Sequence, residues 1–155
     1  MRKRDHGFTL IEMIIAISIL GIIVAAAVPS FRTLNANGTA RSVVAMFEMD
    51  LTYARSHAVT KGDTVSVQER NNDISNGWEI VSQSTGDVLK QRGALDTGVT
   101  ITSPDNLNRV TFSPTGSITT PGTINIRTSG CTGSRDASFQ LMISGQIVKT
   151  AVDCQ

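Results

Sequence analysis

Glu12 is the residue whose chemistry most needs explaining. It lies in residues 8–28, FTLIEMIIAISILGIIVAAAV, a run otherwise broken only by Thr9, Ser18 and Gly21. A carboxylate inside a membrane-like helix costs about 2.5–3.5 kcal/mol on insertion scales, so an acid kept there needs a cationic partner. The other reactive groups are few. Cys131 and Cys154 are too far apart for a close CxxC redox or zinc motif. In a reducing compartment they would stay free thiols, whereas in an exported chain a disulfide is the better reading. The two histidines are His6 and His57. No Cys, Asp or Glu motif frames His57, which reads as a surface or domain-contact residue. No nucleophile–base pair or metal-ligand set is visible, so neither an enzyme nor a bound cofactor is expected.

The element that must position Glu12 is a helix. As a helix, residues 8–28 span about 31 Å, the thickness of a bilayer core. Arg2, Lys3 and Arg4 hold the N-terminus in the cytoplasm by the positive-inside bias, placing the rest of the chain outside. A secretory signal peptide is the competing reading, with Ala25, Ala26 and Ala27 as its cleavage site. Its apolar core is normally shorter, and Glu12 has no use in it.

Pro29 removes one backbone hydrogen bond and crowds the preceding turn, so a kink rather than a helix end is expected there, with Gly21 as a second point where the helix is interrupted. Beyond it the pattern becomes amphipathic over residues 30–62. Phe31, Leu34, Val43, Val44, Phe47, Leu51, Ala54, Ala58 and Val59 recur at spacings near three and four, and this stripe is expected to lie against a globular domain. Asn35 to Gly38 is the poorest helical stretch, and Gly62 closes the helix.

After Gly62, short β-branched runs alternate with turn residues. Strands are predicted at 64–68, 78–82, 88–91, 99–102, 109–112, 123–127, 138–144 and 146–152. Asn76-Gly77, Thr85-Gly86 and Ser144-Gly145 are the predicted hairpin turns. Along the seventh strand Phe139, Leu141 and Ile143 fall on one face, opposite Gln140, Met142 and Ser144. The expected class is α+β, a long N-terminal helix on an antiparallel β-sandwich or strongly bent sheet.

The full chain of 155 residues carries a formal charge of +1. Residues 1–7 hold three of the 14 Lys and Arg and one of the 13 Asp and Glu, so the side-chain charge without them is −1. A near-neutral body argues against broad nucleic-acid binding, which draws its affinity from neutralised phosphates.

Gly7-Phe8-Thr9-Leu10-Ile11-Glu12, with a basic leader before it and an apolar run after it, resembles the cleavage and methylation motif of type IV pilins and type II secretion pseudopilins. The resemblance implies that prepilin peptidase removes residues 1–7 by cutting between Gly7 and Phe8, then methylates the Phe8 amine. It also implies a partner for Glu12, the Phe8 amino group of an adjacent subunit. Opposite charges in low dielectric attract strongly, which agrees with that pairing. In such filaments the segment between a Gly and a Pro placed like Gly21 and Pro29 can lose helicity.

Further motifs are similar to the GspH/FimT group, which holds pseudopilin H and the FimT/FimU minor pilins. They are Leu51-Thr-Tyr-Ala-Arg55-Ser-His-Ala-Val59, Phe112-Ser-Pro-Thr-Gly116 and Ser144-Gly145-Gln-Ile-Val148. The implied layout is a leader at 1–7, a long helix at 8–62 with its membrane span at 8–28, and a β-rich domain at 63–155. The implied place is the bacterial inner membrane, with the domain in the periplasm and other major and minor pilins or pseudopilins as partners. An exported domain favours a disulfide between Cys131 and Cys154, which would pin the last strand to the preceding loop. FimT-like relatives bind DNA through a Gly-Arg-x-Arg motif near the last strands. The matching positions, Gly145 to Val148, lack both arginines. Arg127, Arg135 and Lys149 are the cations left for such a contact, and weak DNA binding or none is expected.

Overall fold

The computed structural model describes residues 9–154. Its first element is one helix, α1, Leu10–Lys61. Thr9 caps the start, its hydroxyl accepting the Glu12 N–H at 3.3 Å. Gly62 ends the helix in the left-handed conformation at φ 65°, its N–H bonded to the Ala58 carbonyl. A residue with a Cβ pays for that backbone geometry, and glycine does not. The helix does not end at Pro29: α1 continues through both Gly21 and Pro29, as the resumed helical pattern predicts. Proline withholds a single hydrogen bond, and a helix of 52 residues carries that loss because propagation on either side needs no new nucleus.

Eight strands follow, near the expected positions: β1 Val65–Glu69, β2 Trp78–Ser82, β3 Val88–Gln91, β4 Val99–Thr102, β5 Arg109–Phe112, β6 Gly122–Thr128, β7 Asp136–Leu141 and β8 Ile147–Val152. They form two antiparallel four-stranded sheets, ordered β3-β2-β1-β5 and β4-β6-β7-β8. Val65, Val67, Ile80, Val110 and Phe112 from one sheet and Ile101, Ile124, Ile126, Phe139 and Leu141 from the other share a core with α1. Phe47 joins the three layers. Its ring meets Trp78 edge-on at 5.3 Å and Phe139 at 5.4 Å, one partner in each sheet. Such pairs are worth about 0.5–1.5 kcal/mol each beyond the area they bury.

Three local expectations need correction. The β1–β2 connection is not a tight turn at Asn76-Gly77 but a loop with 3-10 turns at Arg70–Asn72 and Ile74–Asn76. Ile143 is exposed, because β7 stops at Leu141 and the chain is already turning. Phe31 and Leu34 are 71% and 65% exposed and Val59 is also exposed, so the buried stripe is shorter than its spacing suggested. The domain meets α1 only from about Asn37. There the Thr132 N–H donates to Asn37 Oδ1 at 2.9 Å, and Asn37 Nδ2 donates to Thr132 Oγ1 at 3.3 Å. Periodicity reveals an apolar face but not where its partner begins.

Candidate functional site

The N-terminal end of α1 is an apolar rod. Leu10, Ile11, Ile14, Ile15, Ile19 and Leu20 are all exposed, and α1 is long and apolar enough here to cross a membrane. Gly7 and Phe8, the expected cleavage pair, lie outside the described residues. Glu12 is the third residue of the helix and the acid of its first turn. That turn carries unpaired N–H groups and the positive end of the helix dipole, so a carboxylate is favoured there. Thr9 and Glu12 have the spacing of a capping box, of which the half made by the Thr9 hydroxyl and the Glu12 backbone N–H is formed.

At the other end α1 is fastened by two polar clamps. Asp50 falls on the buried stripe, one turn from both Phe47 and Ala54, and is fully buried. It accepts from Trp78 Nε1 at 2.9 Å and from Arg92 Nε and Nη2 at 2.7 and 3.1 Å, with Lys90 Nζ at 2.6 Å. Burial alone would push its carboxyl up. The bonds from Arg92, Lys90 and Trp78 outweigh burial and hold it below the ordinary range. Sequence reading missed Asp50, although an acid at a core-facing helix position is the available signal.

The second clamp is Arg55. Its Nε donates to the Gly116 carbonyl at 3.0 Å and its Nη2 to the Ser144 carbonyl at 3.4 Å. Gly116 and Gly145 meet below it. A Cβ on Gly145 would lie 1.8 Å from the Gly116 oxygen, and both residues have positive φ, 82° and 79°. The Ile118 N–H also bonds to the Ile143 carbonyl at 3.0 Å. Three motifs distant in sequence, around Arg55, Gly116 and Gly145, thus form one junction of helix and two turns.

The cations named for DNA are dispersed and engaged. Arg127 Nη1 donates to the Asp153 carbonyl at 3.1 Å and lies 3.8 Å from Asp136. Arg135 donates to the Thr132 carbonyl, and Lys149 pairs with Glu48 of α1. Arg135 and Lys149 do line one groove, which Arg127 does not enter.

Cys131 and Cys154 form a disulfide, with Cα atoms 5.5 Å apart, that ties the loop after β6 to the end of β8. Asp136 lies beside it, its Oδ1 accepting the Thr128 N–H at 2.9 Å. Burial raises the Asp136 carboxyl above its ordinary range. The Thr128 N–H and Arg127 pull the other way without reversing the shift. Cys131, Asp136 and Cys154 are close enough together to hold a metal, but sulfurs joined in a disulfide offer no thiolate.

Residues 44–146 match the family of the type II transport protein GspH, and residues 2–28 match the prokaryotic N-terminal methylation motif. No curated protein matches the sequence significantly. Two crystal structures of the type IV minor pilin FimU from Pseudomonas aeruginosa share the fold. One aligns with a TM-score of 0.54 and 19% identity, covering 79% of this chain and 95% of that one. The other gives 0.54 and 24%, covering 76% and 98%.

Proposed function

Because this chain belongs to the family of the type II transport protein GspH and carries the prokaryotic N-terminal methylation motif, we propose that it is a minor pilin with a structural role in priming a type IV pilus or at its tip. The observation that carries this reading is the bare apolar rod of α1, with one acid in its first turn and a β domain clamped to its far end. In this reading prepilin peptidase cuts between Gly7 and Phe8 and methylates the new amine. The rod anchors the subunit in the inner membrane with the β domain in the periplasm. Other pilins take the rod into the filament, where Glu12 of one subunit pairs with the Phe8 amine of its neighbour.

The test is Glu12→Ala beside wild type, with intact mass of the N-terminus and recovery in sheared filaments. We expect both proteins to begin at methylated Phe8 and only the wild type to enter filaments well. An N-terminus beginning after Ala27, or normal incorporation of the variant, contradicts the reading.

A second home is a type II secretion pseudopilus, supported by the description of the matching family. The fold shared with a pilus subunit supports the first. Deleting the gene and scoring surface pili against secreted enzymes separates the two.

A further inference from the structure

The groove that holds Arg135 and Lys149 lies between α1 and β8. Its walls are Arg41, Val44 and Ala45 from the helix, Lys149 and Ala151 from β8, and residues 134–137 at the start of β7. β8 is the last strand of its sheet, and among the described residues no strand pairs with its outer edge. Lys149 and Ala151 are register partners of Phe139 and Ala137, so they share the sheet face that looks toward α1. Lys149 is already drawn across to Glu48. Arg41 is exposed and has no ion-pair partner among the described residues, and the buried Nε of Arg135 makes no hydrogen bond.

We propose that this groove and the adjoining edge of β8 bind an extended, acidic segment of another protein, added to the sheet as a further strand. Each part of the site selects one property of that segment. The unpaired edge offers backbone N–H and C=O groups to any extended chain. Lys149 in mid-strand disfavours a like-charged edge, such as β8 of a second copy, and favours a carboxylate. Side chains of an added strand alternate, so every second one enters the groove. Over Ala137 and Ala151 the space suits an apolar side chain, and on either side of it Lys149, Arg41 and Arg135 call for acids. The recognised pattern is therefore acid and apolar residues at alternate positions. Duplex DNA fits less well, because Val44, Ala45, Ala137 and Ala151 line the groove between the cations, Asp136 also lines it, and Lys149 is internally paired. This surface is separate from the rod and Glu12, so it stands whether or not the assembly role above holds.

The experiment uses the full chain in detergent micelles and a fluorescent peptide in which threonine alternates with glutamate, valine and glutamate. Binding is read by anisotropy. We expect saturable binding that weakens at least ~10-fold in Arg41→Glu combined with Arg135→Glu, as for charges that choose a partner. Glu48→Gln frees Lys149 and should tighten binding, a gain that misfolding cannot imitate. Of two peptides of the same charge, each N-methylated on one of the two alternate sets of amides, one should lose binding, because only the set facing β8 supplies N–H groups to the added strand. Failure of the acidic peptide to bind, indifference to N-methylation, or displacement of the peptide by an equal concentration of duplex DNA would overturn the proposal.

Discussion

Asp50 and Asp136 are two buried carboxylates with opposite consequences. Asp50→Ala leaves the Trp78 N–H without an acceptor and Arg92 and Lys90 without their counter-charge. Breaking a buried pair costs about 3–5 kcal/mol, and the partial exposure of both cations argues for the lower end. Urea unfolding of wild type and variant measures this. Since the folded carboxyl titrates below its ordinary 3.8, its contribution is complete above that pH and disappears as pH falls through the lowered value. Wild type should therefore lose stability on acidification below about pH 4 more steeply than Asp50→Asn. Asp136 runs the other way. Its folded carboxyl titrates above the ordinary value, so it gains stability as pH falls and burdens the fold at neutral pH. Asp136→Asn keeps an acceptor for the Thr128 N–H and removes the charge. Its melting temperature should match or exceed that of wild type at pH 7, and the two should converge near pH 4. A clearly lower value at pH 7 would show that the Arg127 contact outweighs burial.

At the scale of elements, glycine separates the junction from the helix that crosses it. Gly145→Ala places a methyl against the Gly116 carbonyl in a backbone conformation that suits glycine, and even the backbone strain alone is of order 1–3 kcal/mol. Gly38→Ala has nothing within 4 Å of the new Cβ and lies inside α1, so it should stabilise by about 0.4–1 kcal/mol. Thermal melts followed by circular dichroism should move in opposite directions, and a common direction would refute this account of the junction. The strands themselves were legible, because β-branched alternation and Gly-containing turns are local signals, as in β6 and the turn at Gly145. What sequence hid was relational. Nothing local announces that β4 pairs with β6, that Asp50 faces two cations forty residues away, or that Phe31 and Leu34 stand beyond the reach of the domain. Those facts depend on where other parts of the chain arrive.

The whole molecule is a domain on a rod, and the domain is not two sheets made one after the other. β1, β2 and β3 pair in turn, but β4 leaves for the second sheet before β5 returns to the edge of β1. The consequence is one of timing. During synthesis β4 has no partner until β6 has been made, and β5 must close back across the intervening strands to reach β1. Pairing of this non-local kind is slow, because closure entropy is lost before any contact repays it. A chain ending at Phe112 contains every strand of the first sheet, yet it leaves β4 unpaired and Phe47 without Phe139. Such a fragment in detergent should show no protease-resistant core where the full chain shows one. A stable core in the fragment would mean that the first sheet folds alone. If it does not, the subunit stays unfinished until β6 and β7 have been made, and until then any factor that engages it meets an exposed strand rather than a folded domain.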